Sequence, residues 1–237
     1  VICADNDILK IKQLKQGKSP IFEPGLEPLL KRCLKENKLT FTASIPEATR
    51  RSLVIFIAVG TPSKENGEAD LTYVENVARQ IALHMDSYKL IVEKSTVPTA
   101  TGQRIERTIR MTLSQRFPED PSSRGRARCR NSFKKNSPKG EVPAFDVASN
   151  PEFLREGSAI CDFMEPDRIV LGVESKKAEE LLREIYKPWK APIVVTNMNS
   201  AEMIKHASNS FLATKISLIN AVAQICDRVG ADVLKVA

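Results

Sequence analysis

The 237-residue chain is 42% hydrophobic, enough for one large domain or for one domain and part of another. It has no apolar run approaching the roughly eighteen residues of a membrane-spanning helix, and its opening VICAD lacks the basic-then-apolar layout of a signal peptide. The formal charge of +7 is local: residues 116–140 hold eight lysines and arginines against two acids, and the remainder is nearly neutral.

The five cysteines are scattered, odd in number and without CxxC spacing, which suits a reducing, cytoplasmic setting better than a disulfide framework. Cys33, Cys161 and Cys226 read as packing residues. With only His84 and His206 and no clustered ligands, no metal site is expected.

In chain order, VICAD reads as a buried strand ending in an acid, and Asp7 as the cap of a helix that stops at Gly17. The turn-rich SPIFEPG precedes a second amphipathic helix, LEPLLKRCLKEN. LTFTA is strand-like and IPEATRR a short helix. SLVIFIAVG is a continuous apolar strand of the kind covered on both faces of a sheet. It runs into the polar TPSKENGEAD and the helix YVENVARQIALHM. YKLIVEKSTVP repeats the strand-then-polar-turn arrangement and leads to a helix at 101–115. Residues 116–140, rich in Arg, Ser, Pro and Gly, read as a solvated insertion.

After the insertion come the strand AFDVA, the loop SNPEFLREGSAICDFMEPD, the strand RIVLGVE, a helix to Trp189 and the strand APIVVTN. From Ser200 a helix of about 25 residues starts a new element. The strand–loop–helix alternation places the chain in the α/β class, with helices on the faces of a parallel sheet. Such sheets bind ligands beyond the carboxyl ends of their strands. The loops at Asp5–Asp7, Val59–Ser63, Lys94–Val97 and the stretch 149–169 are therefore the places to look for chemistry.

An acid such as Asp5 after a strand accepts ribose hydroxyls in dinucleotide folds, although turn and cap acids are common there too. Gly60 permits close backbone approach, and Thr61, Ser95 and Thr96 offer hydroxyls, or simply cap strand ends. Lys205 and Asn209, four apart, share one helix face and can hold a developing oxyanion, or be ordinary surface residues. His206 points elsewhere. Glu152 follows Pro151 at a strand end, where burial can tune a carboxylate for acid–base work. Glu152 and Glu156 can equally be first-turn acids, and Asp167–Arg168 a loop-fixing ion pair.

Taken together and in this order, IFEPGLEPLL, FIAVGTP, EKSTVP, SNPEFLREGSAICDFMEPDRIVLG and SAEMIKHASNSFLATKISLINAVAQICDRVGADV resemble the UDP-glucose 6-dehydrogenase family, over nearly the whole chain except 116–140. The resemblance implies a Rossmann-like, NAD-binding domain at 1–198, incomplete at its start. It implies the start of a central helical dimerisation domain at 199–237. The implied activity is oxidation of the C6 alcohol of UDP-glucose to a carboxylate with reduction of two NAD+. Asp5 would meet the NAD ribose and Lys10 the adenosine end. Val59, Gly60, Thr61, Pro62, Ser63, Ser95, Thr96 and Val97 would line the cofactor cleft.

The same resemblance makes Glu152 the acid/base carboxylate and Thr96 a positioner of the catalytic water. Lys205 would stabilise oxyanions at C6 with help from Asn209. Phe153, Leu154 and Arg155 would contact substrate, and Glu156 would lie where substrate meets cofactor. The family's route adds a cysteine thiolate to the aldehyde, gives up a second hydride from the resulting hemithioacetal to leave a thioester, and hydrolyses that thioester. The resemblance places that cysteine, and the first strand with its phosphate-binding glycines, outside residues 1–237, so the chain alone is expected to be inactive. It also implies a homo-oligomer through the long helix, with no membrane or nucleic-acid partner. The competing readings are a sibling dehydrogenase acting on GDP-mannose or UDP-N-acetylmannosamine, and a polyanion-binding module using the basic segment.

Overall fold

Asp7 begins the first helix as its position predicts: its carboxylate accepts the backbone N–H groups of Leu9 and Lys10 at 2.9 and 3.0 Å. The computed structural model describes residues 1–118 and 142–237. Strand β1 (Ile2–Ala4) and β2 (Thr40–Thr42) pair in parallel, with α1 (Ile8–Lys15) and α2 (Leu26–Lys35) between them in sequence. Ile11, Leu30 and Phe41 form the small core under this pair. Helix α3 (Ile45–Arg51), capped by Ser44, leads out of it.

The larger sheet has the order β3-β4-β5-β6-β7, with β3 at Val54–Ile57, β4 at Lys89–Glu93, β5 at Phe145–Ser149, β6 at Ile169–Val173 and β7 at Ile193–Thr196. One face is covered by α4 (Thr72–His84) and α5 (Thr101–Arg116), and the other by α7 (Lys176–Tyr186). Strand β4 is buried along its whole length, the two-sided burial that its apolar run calls for. Strand β3 has the same kind of sequence but lies at the end of the sheet, and Phe56 is 39% exposed.

The expected parallel sheet has one exception, since β5 and β6 run antiparallel. The intervening segment carries only the six-residue α6 (Ala159–Met164) and turns the chain back beside β5. The β6–β7 connection, of equal length, is spanned by the longer helix α7 and returns its strand in parallel. The reversal leaves residues 150–168 gathered at one end of the sheet, where the clefts are.

Helix α8 runs from Met198 to Val229, 32 residues, longer than its sequence suggests and starting two residues earlier. Asn197 caps it by accepting the Ser200 N–H at 2.8 Å. Its first turns dock directly on backbone. A Cβ placed on Gly172 of β6 would lie 2.6 Å from Ala201 Cβ, 2.9 Å from Met198 Cα and 3.0 Å from the Asn197 carbonyl oxygen. The short helix α9 (Val233–Val236) ends the chain.

Two assignments change with the structure. Arg116 belongs to the fold rather than to the basic insertion, because its guanidinium donates to the carbonyls of Ala82 and Met85 (3.2 and 2.6 Å) and so closes the end of α4. The rest of that segment from Glu119 to Gly140, Cys129 included, lies outside the described residues. Cys161 is exposed instead of packed, because six-residue α6 presents it outward, whereas Cys226 is buried as expected.

Candidate active site

The site starts with a residue the sequence gives little reason to notice. Asn150, at the end of β5, is buried and fully engaged. Its N–H donates to the Glu93 carbonyl (2.8 Å) and its side-chain amide to the Val170 carbonyl (2.9 Å). Its Oδ1 accepts from Lys94 Nζ (3.0 Å) and from the Tyr186 hydroxyl (2.5 Å). Strands β4 and β6 and helix α7 therefore fix the point from which Pro151 and Glu152 leave the sheet.

Glu152 is held at both oxygens. Oε1 lies 3.0 Å from Lys205 Nζ on α8, and Oε2 accepts the Leu154 N–H at 2.6 Å. Lys205 is only 6% exposed, so this pair is largely withdrawn from water. The Phe153 ring lies between two cations, 5.4 Å from Lys205 Nζ and 5.6 Å from the Arg168 guanidinium. Arg168 takes that position in place of the anticipated pairing with Asp167, which is absent from the ion pairs among the described residues. Arg155 is engaged with Asp162 through two side-chain bonds of 2.6 and 3.2 Å, which hold the Asp162 carboxyl well below the usual range.

These residues surround a cleft of about 720 Å³, lined by Glu152, Phe153, Leu154, Arg155, Lys205 and Asn209 among others. Lys94, Tyr186 and Trp189 form part of the same wall. Burial pushes the Lys94 ammonium down to about 8, against the opposing pull of Glu152 and Glu93.

A second cleft, of about 1010 Å³, opens on the other side of Asn209, which lines both. Thr61, Ser63 and Thr96 line it, with Arg104 and His206. Its two loops are stitched together: the Thr61 hydroxyl donates to the Thr96 carbonyl (2.8 Å), and the Ser95 hydroxyl to the Val59 carbonyl (2.8 Å). Val97 is buried, and its carbonyl oxygen lies 2.7 Å from His206 Nε2, so His206 anchors α8 to the KSTVP loop. Gly60 and Pro62 belong to the same loop without lining the cleft. Asp5 and Lys10 pair with each other at 2.7 Å beyond β1 and line neither cleft, as does exposed Glu156.

Two buried acids lie behind the clefts. Glu202 of α8 accepts the backbone N–H groups of Ala100 and Gly102, each at 2.7 Å. Glu93 faces Ser149 in the β4–β5 register, and neither Glu93 Oε1 nor Ser149 Oγ has a hydrogen-bond partner. Burial first, and the nearby Glu202 second, push the Glu93 carboxyl up to about 8. The folded state thus keeps a proton that the unfolded chain loses from its ordinary value of 4.5 upward, so stability falls as pH rises from there to about 8. Glu93→Gln should flatten that decline and add roughly 2–3 kcal/mol at pH 7. Urea titrations of both forms at pH 5 and pH 7 measure it; equal pH dependence in the two forms would refute it.

Sequence reasoning pointed to the loops that hold Lys94 and Asn150 without singling out either residue, and missed Tyr186 and Trp189. The signals available were an Asn–Pro after a strand and a lysine in the turn that follows one. Tyr186 and Trp189 give no local sign, since they reach the cleft from the far end of α7.

The NAD binding domain of the UDP-glucose/GDP-mannose dehydrogenase family matches residues 1–190, and the central domain of that family matches residues 199–237. The chain belongs to the UDP-glucose/GDP-mannose dehydrogenase family. The family is one of oxidoreductases, and the cofactor of its matched domain is NAD. The chain is 48% identical over its whole length to UDP-glucose 6-dehydrogenase TuaD of Bacillus subtilis, of which it covers 46%. It is 43% identical to the UDP-glucose 6-dehydrogenase of Rhizobium meliloti, covering 49% of it. Among solved structures, a UDP-glucose dehydrogenase from Pyrobaculum islandicum aligns over the whole chain and 49% of its own length, with 38% identity and a TM-score of 0.85. A GDP-mannose dehydrogenase from Pseudomonas aeruginosa aligns over the whole chain and 50% of its own length, with 35% identity and the same TM-score. The chain spans about half the length of the curated relatives it matches.

Proposed function

We propose that this chain forms the NAD-binding part and one wall of the sugar site of a UDP-glucose 6-dehydrogenase. The observation that carries this reading is the Lys205–Glu152 pair, 3.0 Å apart and bordered by Asn209, the residue common to both clefts. UDP-glucose is favoured over GDP-mannose by curated relatives of that activity at 40–48% identity.

Oxidation of a primary alcohol removes a proton from oxygen and a hydride from carbon. With the C6 carbon at the boundary of the clefts, Lys205 Nζ donates to its oxygen and offsets the negative charge that grows there. Glu152, the lysine's partner, accepts the proton. Asn209 orients the same oxygen from one turn further along α8. NAD, when bound, accepts the hydride. The second cleft suits it, since the hydroxyl residues Thr61, Ser63 and Thr96 line its opening. Asp5, at the end of β1, supplies the carboxylate for a ribose.

Complete oxidation to the acid calls for a thiol that captures the aldehyde, and none of the four described cysteines lines the sugar cleft. A cysteine from outside residues 1–237 fills that role in this reading. The thiol adds to the aldehyde to give a hemithioacetal, whose hydride would pass to a second NAD+ to leave the thioester. Glu152 then activates the water that hydrolyses the thioester, with Thr96 helping to place that water. Glu152→Gln, which keeps an acceptor for Lys205, should leave UDP-glucose affinity within about threefold and slow hydrolysis by about 10²–10³-fold, so a covalent sugar-nucleotide adduct builds up. Intact-mass spectrometry of the protein after one turnover detects it. Weakened binding with no adduct would remove Glu152 from this role.

Outside the cleft, α8 carries Phe211, Ile216, Leu218 and Ile225, all more than half exposed. In this reading those side chains are buried in a homo-oligomer.

A further inference from the structure

The motif IFEPGLEPLL, 130 residues before the cleft loop, has no part in the chemistry above, yet the fold brings it against that loop. Leu26 N–H donates to the Glu23 carbonyl at 3.1 Å, and Gly25 has φ +82° and ψ −10°. With Pro24 at the second position, Glu23–Leu26 is a type II turn, whose third position requires the left-handed backbone that glycine supplies. The turn faces α6: a Cβ on Gly25 would stand 3.8 Å from Ile160 Cδ1.

From this turn the Glu23 carboxylate reaches across the chain. Its Oε2 accepts the Gly157 N–H at 2.9 Å and its Oε1 the Ala159 N–H at 2.8 Å. Ser158, at the start of α6, makes no side-chain cap of its own, so Glu23 supplies from another part of the chain the acceptors missing there. On the opposite side Asp162 accepts the Arg155 N–H, the Arg155 guanidinium and the Ser158 hydroxyl. Two carboxylates thus grip residues 155–159 between them. Leu154, next in line, donates its N–H to Glu152. A continuous path of bonded backbone leads from Glu23 to the reacting carboxylate.

We propose that Glu23 is a positioning residue for the sugar cleft: its carboxylate clasps the 157–159 turn and thereby sets the placement of Glu152, Phe153 and Leu154. The placement is read on UDP-glucose, so that half of the proposal rests on the function inferred above. Glu23 lines neither cleft and touches no candidate cofactor residue, so its loss should act on one ligand and not the other.

In the full-length protein, Glu23→Ala should speed hydrogen exchange at the Gly157 and Ala159 amides by about tenfold or more. It should raise the KM for UDP-glucose by about 5–20-fold and lower kcat by about tenfold through the displaced Glu152, with the KM for NAD within about threefold. Glu23→Gln keeps one acceptor oxygen and should fall between the two. A purely structural cap would instead lower the melting temperature with KM unchanged, or raise both KM values together, and either result would overturn the proposal. Unchanged exchange at both amides would do so as well. A wild type with no UDP-glucose turnover would refute the inferred substrate, while the exchange rates would still decide whether the clasp exists.

Discussion

Lys205→Met in the full-length protein should reduce UDP-glucose turnover by about 10²–10³-fold, the usual cost of removing one donor that faces a developing oxyanion. NAD affinity should stay within about twofold. Methionine fills a similar volume in the wall beside Phe153 without the charge, which separates electrostatics from packing. The substitution has a second consequence, because Glu152 would be left half-buried with only the Leu154 N–H at Oε2. Stranding one partner of a withdrawn ion pair costs about 3 kcal/mol or more when both are buried, and less here, since the Glu152 side chain is 27% exposed. Lys205→Arg should not restore activity, because the guanidinium fork is wider and reaches further than the ammonium. Steady-state kinetics with both nucleotides decide the matter. Loss of NAD binding in step with turnover would mean that α8 had moved, not that an electrostatic contribution had been lost.

Glu202→Ala should lower stability by about 3 kcal/mol and the melting temperature by roughly 6–12 °C. Helix α5 starts after Ala100, an alanine held at φ +69°, and no side chain of its own loop caps it. Glu202 takes its place, accepting two orphan N–H groups from a helix a hundred residues later. The carboxyl is almost entirely enclosed, and burial raises its proton affinity while the Ala100 and Gly102 amides oppose that rise. Removing it leaves two buried donors without acceptors and a cavity between α8 and the start of α5. Glu202→Gln keeps one acceptor and should lose about half as much. Calorimetry of the three forms tests the ordering. An alanine variant as stable as the wild type would mean that water caps α5 unaided.

Local rules read well where one residue decides one element. Asp7 caps α1, Gly17 ends the turn after it with φ +71°, and the strand–helix alternation gives the α/β architecture. They fail where two distant segments decide together. Asn150 is one polar residue among many until Lys94, Tyr186 and Val170 converge on it. Glu93 resembles any acid at a strand end, and only the two helices packed over that face make it a buried carboxyl. The reversal at β5–β6 has a related origin, since the apolar pattern of a strand carries no direction. The resemblance of whole motifs supplied what periodicity lacked, grouping Glu152, Lys205 and Asn209 before any contact among them was visible.

The contact at Gly172 bears on how such a site changes over time. Side-chain interfaces let neighbouring helices drift as residues are exchanged, because a larger group on one side is answered by a smaller one on the other. Here the Gly172 backbone lies against the Ala201 methyl and the main chain of α8, so neither side can take a larger group without moving the helix. Lys205 sits one turn beyond Ala201, so its ammonium behaves like the fixed jaw of a vice. New sugar preferences on this scaffold would come from the movable jaw, the loop carrying Phe153 and Leu154 with Trp189 behind it.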